Sequence, residues 1–282
     1  MTIIHSAARM AVVSRRLRAR GKRVGVVPTM GALHEGHGSL IRRAAAQNDV
    51  VIVTIFVNPL QFGPTEDFTR YPRTLRRDVR LARAAGADII FAPALREIYP
   101  DGFQTYVDVG PLAARWEGQR RRGHFRGVAT VVAILFHLTR PTNAYFGQKD
   151  YQQTLIIQRL IRDWRFPIRM HILPTVREPD GVAMSSRNAY LSASERRQAT
   201  VLVRALRLAR VRVRSGERRV RSLVEAMRRL IHGNSGARID YVAIVDADTL
   251  EPRSWLRGRM AVLLAVRVGR TRLIDNLLVD VS

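Results

Sequence analysis

The chain has 282 residues, of which 46% are hydrophobic and 25% are charged, values that are ordinary for a globular protein with a sizeable core. It contains no cysteine, which excludes disulfides, zinc–thiolate sites and a cysteine nucleophile. No window reaches the roughly 18 uninterrupted apolar residues of a membrane span, so we expect no membrane association. The basic segment 1–23 lacks the apolar stretch and cleavage site of a secretory signal, and the cytoplasm is the expected location.

The net charge of +25, from 48 basic and 23 acidic residues, permits two interpretations. One is a surface for nucleic acid or for an anionic membrane. The other is a general bias towards arginine, because only Lys22 and Lys149 are lysines and the basic residues spread along the whole chain. We favour the bias and expect no nucleic-acid partner. Against this background Lys149 stands out as a position where arginine would be a poor substitute.

The segment from residue 23 to residue 172 alternates strand-like and helix-like patterns. Short apolar runs predict five buried parallel strands, at 23–28, 50–57, 88–92, 143–146 and 168–172. Periodic segments predict helices at 36–48, 74–85, 128–138 and 151–164. This alternation predicts an α/β fold, a Rossmann-like doubly wound parallel sheet over residues 1–175, with ligands at the carboxyl ends of the strands. Two longer loops, 58–73 and 110–127, are expected to be functional.

The pattern changes after Pro174 and predicts a smaller α+β domain over residues 176–282 that covers the active site. Asp180 and Gly181 mark a turn. Ser192 and Glu195 have the spacing of a capping box ahead of a helix to about residue 214, and a second helix covers 217–231. Three strands then follow at 238–246, 259–268 and 271–280, with a tight hairpin between the last two.

Two histidines, His34 and His37, stand where the first predicted strand turns into a helix. The first turn of a helix offers unpaired N–H groups and a positive dipole end, so this turn predicts a phosphate site to which histidine adds hydrogen bonds and charge. Gly31 and Gly36 favour this interpretation over a pair of structural histidines, because they let the backbone approach a ligand closely. The spacing does not match the zincin motif, and neither the dinucleotide fingerprint nor the P-loop sequence is present.

Three weaker motifs carry groups that suit the same chemistry. A second strand-to-helix turn supplies Lys149, which can neutralise phosphate, and Asp150, which could meet Mg²⁺ or simply cap the helix. The turn 184–188 offers two hydroxyls and a guanidinium, although read alone it is an ordinary polar loop. Neutral amides in 58–62 and 152–153 suit hydroxyl groups and a carboxylate that must stay nucleophilic.

Together these segments resemble the pantoate–β-alanine ligase (pantothenate synthetase) family over essentially the whole chain. The matching sequences are PTMGALHEGH, FVNPLQFGPTEDFTRYPRT, YFGQKDYQQ, PTVREPDGVAMSSRN and TRLIDN. The resemblance implies a nucleotidyltransferase with an HxGH-type signature and a reaction in two steps. The carboxylate of pantoate attacks the α-phosphate of ATP, giving pantoyl adenylate and pyrophosphate; the amine of β-alanine then attacks the acyl carbonyl, giving pantothenate and AMP. It also implies Mg²⁺ with the ATP phosphates and a homodimer.

Carried over residue by residue, the resemblance assigns catalysis to His37, His34 and Lys149. His37 is the position commonly labelled proton donor, but we favour electrostatic stabilisation, because adenylyl transfer depends mostly on positioning and charge. Pantoate would be held by Gln61 and Gln153, with Gln61 also near β-alanine. The ATP site would be lined by Met30, Gly31, Ala32, Leu33, His34, Glu35, Gly36, His37, Gly147, Gln148, Lys149, Asp150, Val176, Met184, Ser185, Ser186 and Arg187. Further neighbours would be Asn58, Tyr71 and Arg126.

Within this resemblance the loop 60–73 would act as a gate that excludes water from the acyl adenylate. Two positions depart from the family pattern. Gln148 stands where glutamate is more common, and Gly38 stands where a bulkier apolar residue is common. A glycine inside a helix lowers helix stability by about 1 kcal/mol. Neither change removes a group that the chemistry needs. One alternative is an adenylyltransferase for another acid or for a nucleotide, which the Gln61 and Gln153 amides and the NPLQF loop argue against. The other is a nucleic-acid-binding protein, for which an RNP-type aromatic pattern is missing.

Overall fold

A computed structural model of the chain describes residues 1–64, 66–234 and 236–281. These residues form two compact units. The first comprises Met1–Gln148 and Gln152–Pro174, and the second comprises Lys149–Tyr151 together with the chain from Thr175 onward. Within the described ranges, no helix combines the length and the apolar character that crossing a bilayer would require.

The first unit is built on a sheet of six strands. They are β1 (Thr2–Ile4), β2 (Val24–Thr29), β3 (Val50–Ile55), β4 (Ile89–Phe91), β5 (Asn143–Gly147) and β6 (Arg169–Leu173). The order across the sheet is β1-β4-β3-β2-β5-β6, and all neighbouring strands are parallel, as the sequence pattern predicted. The winding direction reverses between β2 and β5, so the carboxyl ends of these two strands flank the point where open α/β sheets bind ligands.

Helices on both faces cover the strands of this sheet. In chain order they are α1 (Ala7–Ala19), α2 (Glu35–Gln47), α3 (Leu75–Ala84), α4 (Leu95–Ile98), α5 (Glu117–Arg120), α6 (His124–Thr139) and α7 (Tyr151–Asp163). Val51 and Val53 of β3 belong to a buried cluster with side chains of α2, whereas Ile52 belongs to a cluster with side chains of α6. Because successive strand residues point to opposite faces, burial on both faces explains why the strand sequence is continuously apolar.

Several parts of the first unit differ from the expectation, among them the short helix α4, which was not predicted. No element was predicted for residues 1–22, where β1 and the arginine-rich α1 lie. Only Met10 and Ser14 of α1 are buried, so the helix has little apolar periodicity that a sequence pattern could reveal. The prediction of a structureless loop at 110–127 was wrong, because this segment contains a 3₁₀ turn, α5 and the start of α6. Gly127 lets α6 approach the turn after β3 closely, because a Cβ on it would lie 2.1 Å from the carbonyl oxygen of Leu60.

The second unit packs two helices against a three-stranded antiparallel sheet. The helices are α8 (Ala193–Arg214) and α9 (Val220–His232), and the strands β7 (Ala237–Asp246), β8 (Gly258–Val268) and β9 (Thr271–Val281) lie in the order β7-β8-β9. The predicted hairpin is confirmed: Val268 pairs with Thr271, and Gly269 has the left-handed φ of 55° that such a turn uses. The smaller α+β part predicted from the sequence is therefore present.

The start of α8 offers a test of local stability. The Ser192 hydroxyl accepts from Glu195 N (3.3 Å), and the Glu195 carboxylate accepts from Ser192 N (2.8 Å), which completes the predicted capping box. We expect Ser192→Ala to lower the free energy of unfolding by about 1 kcal/mol, because the N–H group of Glu195 loses its acceptor at the helix end. Urea unfolding at pH 7 measures the loss. Ser192→Asp retains a cap acceptor and should stay close to the parent; equal loss in both variants would contradict the capping argument.

Candidate active site

Three loops that carry predicted site residues follow neighbouring strands of the first unit. His34 comes after β2, Gln61 after β3, and Gln148 directly after β5. Because these strands are parallel and adjacent in the order β3-β2-β5, their carboxyl ends share one edge of the sheet. The fold therefore collects these three segments, which lie far apart in the sequence, at one edge.

The loop between β2 and α2 is held by a buried carboxylate that the sequence analysis missed. Gly31 and Ala32 have left-handed φ values of 81° and 49°. Asp78 of α3, which is 1% exposed, accepts from Ala32 N (3.1 Å), from Leu33 N (2.8 Å) and from the hydroxyl of Thr74 (3.1 Å). These bonds fix the loop before any ligand binds. One aspartate in a helix crowded with arginines gives no sequence signal for this role.

The two histidines form a reciprocal cap at the start of α2. His34 is the N-cap, and its Nδ1 accepts from Gly36 N (3.2 Å), while His37 Nδ1 accepts from His34 N (3.3 Å). A ring nitrogen that accepts from a backbone N–H carries no proton, so each neutral imidazole bears its proton on Nε2. The ring centroids lie 4.1 Å apart. The sequence thus places two Nε2–H donors side by side at a positive helix end.

The other predicted ATP-lining residues of this loop differ in exposure. Met30 and Ala32 are half-buried, and Leu33 is buried in the apolar cluster that includes α2. Glu35 is exposed and accepts a hydrogen bond from Arg42, further along the same helix. Gly36 contributes its N–H to the cap described above. The backbone of this loop is thus engaged with α2 and α3.

The predicted amide Gln61 lies in a 3₁₀ turn, Pro59–Gln61, that is capped by Asn58. Both residues are buried, and Asn58 Nδ2 donates to Gln61 Oε1 (2.9 Å) and to the carbonyl of Gly127 (3.0 Å). Asn58 Oδ1 accepts from the hydroxyl of Tyr99 (2.8 Å), whose pKa is raised by burial. The bond from Asn58 orients the Gln61 side chain, whose amide nitrogen is the group that can donate to a ligand.

The backbone of Gln61 is held from the side of α6 by residues that the sequence analysis also missed. His124 Nδ1 bonds to the carbonyl of Gln61 (2.8 Å), and Arg121 Nη2 donates to the same oxygen (3.1 Å). Arg121 also forms a two-bond ion pair with Glu66, at 2.7 and 2.6 Å. Burial raises the pKa of Glu66, but the hydrogen bonds and charge of Arg121 outweigh it, so that the pKa is lowered overall.

The remaining candidates of the first unit have different surroundings. Gln153 is half-buried. Its neighbour Gln152 is buried, and the amide nitrogen of Gln152 donates to the carbonyls of Leu112 and Arg115 (2.9 and 2.8 Å). Tyr71 is buried, and its ring packs edge-on against Phe62 with centroids 5.8 Å apart. Arg126 is exposed and lies over the ring of Tyr106, 4.2 Å from its centroid.

Lys149 and Asp150 belong by their contacts to the second unit. Lys149 Nζ lies 3.6 Å from Asp150 Oδ1, and the carbonyl of Lys149 accepts from the Nδ2 of Asn276 in β9 (2.8 Å). Tyr151 donates its hydroxyl to the carbonyl of Ala247 (2.8 Å), and burial raises its pKa to about 12. The terminal TRLIDN sequence, which stood out only by resemblance, thus supplies the amide that anchors Lys149.

The predicted segments 176 and 184–187 form a second structural element of this unit. Met184 N donates to the carbonyl of Val176 (2.9 Å), closing a hairpin around the predicted Asp180–Gly181 turn. Arg177 binds the buried Asp275 through two bonds of 2.6 and 3.0 Å. The hydroxyl of Ser185 accepts from Arg187 N (3.3 Å), and the 3₁₀ turn Ser186–Tyr190 follows. β9 therefore anchors both this hairpin and the Lys149 segment.

Two comparisons of sequence connect this geometry with known proteins. A family model described as pantoate–β-alanine ligase matches residues 2–278. A pantothenate synthetase of Roseiflexus castenholzii is 58% identical over 257 residues, which cover 91% of this chain and 92% of that protein. The match to the family model spans all the segments described above.

Solved structures agree. A pantothenate synthetase from Thermus thermophilus has a TM-score of 0.93 at 48% identity, covering 98% of this chain and 99% of that one. A pantoate–β-alanine ligase from Francisella tularensis, solved as a complex with β,γ-ATP and β-alanine, has a TM-score of 0.81 at 34% identity, covering 99% and 97%. This chain belongs to the pantoate–β-alanine ligase family, whose reaction is the ATP-dependent condensation of pantoate with β-alanine.

Proposed function

We propose that this chain first adenylates pantoate with ATP and then passes the pantoyl group to β-alanine, with the paired imidazoles of His34 and His37 as the centre of the first step. The observation that supports this assignment is the reciprocal cap, in which both Nδ1 atoms are acceptors and both Nε2 atoms therefore carry a proton. Two such donors at a helix N-terminus suit a phosphate group that gains charge as the carboxylate attacks.

Lys149 supplies the permanent positive charge in this proposal. An ammonium group is a compact donor that can follow phosphate oxygens as bonds form and break. The second unit contributes the predicted ATP-lining residues Val176 and Met184 to Arg187, and the first contributes 30–37, Gly147 and Gln148. In this proposal the first unit binds ATP and pantoate.

Neutral amides hold the acid substrate in this proposal. Gln61 and Gln153 donate hydrogen bonds to pantoate without pairing a full positive charge with its carboxylate, so the carboxylate oxygen stays nucleophilic. The Gln61 amide nitrogen is directed to this role because Asn58 occupies its oxygen. The same residue would lie near β-alanine when its amine attacks the acyl carbonyl.

Mg²⁺ would accompany the ATP phosphates. Among residues 1–64, 66–234 and 236–281, no group of three or more His, Asp or Glu side chains could form a cage for a metal ion. Mg²⁺ keeps several waters and binds through substrate phosphates and one or two carboxylates. Asp150, beside Lys149, would make such a contact, directly or through water. The ion would supply positive charge to the phosphates.

The segment 60–73 would exclude water from the acyl adenylate. Its described residues include an aromatic cluster in which Phe62 packs against Phe68 and Tyr71, with ring centroids 5.3 and 5.8 Å apart; Thr65 lies outside the described residues. Such an apolar cover would favour attack by β-alanine over hydrolysis.

A homodimer in the cytoplasm is the state we propose, and analytical ultracentrifugation tests the dimer.

The first step can be tested through His37. We expect His37→Asn to slow pantoate-dependent ATP–pyrophosphate exchange by on the order of a hundredfold, because asparagine lacks the Nε2–H group. The amide oxygen of asparagine lies near the position of Nδ1 and can still accept from His34 N, so the thermal midpoint should stay close to that of the parent. Exchange at the parental rate would contradict the role of Nε2–H. Exchange by the parent without pantoate would contradict the proposed reaction.

The anchor of Lys149 gives an independent test. We expect Asn276→Ala to raise the KM for ATP by about tenfold and to leave the KM for pantoate unchanged, because the carbonyl of Lys149 loses its amide donor. Steady-state kinetics of AMP formation separates the two constants. Asn234→Ala is a matched control, since Asn234 Nδ2 donates to another backbone carbonyl of the second unit, that of Gln198 (3.1 Å). A KM for ATP that rises equally in both variants would argue against a specific anchor.

A further inference from the structure

His124 is a buried histidine whose hydrogen bonds permit one protonation state. Its Nδ1 faces the carbonyl oxygen of Gln61 (2.8 Å), which can only accept, and its Nε2 faces Nη1 of Arg121 (3.1 Å), which can only donate. The ring is therefore neutral, with its proton on Nδ1. This is the opposite tautomer from that of His34 and His37.

The surrounding charges are consistent with this neutral ring. Arg121 lies between the carboxylates of Glu66 (2.6 Å) and Glu117 (3.7 Å), so its charge is matched by acidic groups. Burial lowers the pKa of His124 to about 4, and the nearby Arg121 charge also lowers it, whereas the two glutamates act in the opposite direction. At neutral pH the imidazole thus donates to Gln61 as a neutral group.

The contacts of His124 converge on one short turn. The carbonyl of Gln61 receives donors from both His124 and Arg121, and the amide of Gln61 is oriented by Asn58. Gly127, one turn further along α6, leaves room for this approach, because a Cβ there would lie 2.9 Å from Gln61 N. The Gln61 turn is therefore held by His124 at the start of α6, by Arg121 just before it and by Asn58.

We propose that His124 is a positioning residue for the acid substrate: its Nδ1–H group fixes the Gln61 turn and so aims the Gln61 amide nitrogen at the hydroxy acid. The proposal rests on the proposed role of Gln61 in binding pantoate. His124 touches no substrate in this scheme. Its loss should weaken binding of pantoate and leave binding of ATP, on other residues, unchanged.

Two isosteric variants separate the two ring nitrogens. In His124→Asn the amide nitrogen lies near the position of Nδ1 and can still donate to Gln61, whereas in His124→Gln the amide lies near Nε2 and that donor is lost. We expect His124→Gln to raise the KM for pantoate by about tenfold and His124→Asn to raise it by less than about threefold, with the KM for ATP unchanged in both. Steady-state kinetics and equilibrium titration with pantoate measure the difference.

His137→Gln is the matched control, because His137 is exposed on the same helix and should keep the parental KM values. An unchanged KM for pantoate in His124→Gln, or equal increases in the Asn and Gln variants, would overturn the proposal. If His124→Gln does not fold, His124→Leu takes its place, because the leucine side chain has nearly the shape of the asparagine side chain but carries no donor for Gln61. A KM for pantoate in His124→Leu that equals that of His124→Asn would likewise overturn the proposal.

Gln61→Ala, measured in parallel, distinguishes two kinds of failure. If Gln61→Ala leaves the KM for pantoate unchanged, the proposed role of Gln61 is wrong and the positioning role falls with it. If Gln61→Ala raises that KM and His124→Gln does not, Gln61 binds the acid without help from His124, and only the positioning proposal fails.

Discussion

The reversal of winding between β2 and β5 is the constraint on which the first unit depends. Parallel strands need crossovers on the faces of the sheet, so the carboxyl ends of β3, β2 and β5 are left with loops at one edge. Each of these loops carries polar backbone groups that water or a partner must satisfy. The sequence of this chain meets that demand with side chains, and the same side chains determine the geometry of the site.

Three buried side chains illustrate how this is done. Asp78 accepts from two N–H groups of the loop after β2, His124 donates to a carbonyl of the turn after β3, and Asn276 donates to the carbonyl of Lys149. None of the three was singled out as a candidate ligand. Because an unsatisfied buried backbone group costs about 1–3 kcal/mol, these bonds hold each loop in one conformation. A site fixed in this way needs little reorganisation when charge develops on a substrate.

The parts of the fold that the sequence predicted are those with strong periodicity or capping chemistry. The strands β2, β3 and β5, the helices α2 and α8, and the final hairpin lie within a few residues of their predicted bounds. The helix α1 was missed because arginine stems replace much of its apolar stripe, and the start of α6 because Gly123 and Gly127 resemble a loop. Asp78 and His124 could not be found, since their roles arise from contacts 45 and 63 residues away along the chain.

The hydrogen-bond geometry requires three imidazoles of this chain to be neutral, and its net charge of +25 acts in the same direction because positive charge disfavours protonation. His34 and His37 each need an unprotonated Nδ1, and His124 needs an unprotonated Nε2, so a proton on any of these nitrogens removes a bond. The pKa of His124 is about 4 in the folded chain and 6.5 ordinarily. The unfolded chain therefore binds more protons between these values, and stability present above pH 6.5 is lost as the pH falls towards 4. Acid would thus weaken the scaffold around Gln61, while the added charge would increase repulsion in an already cationic protein.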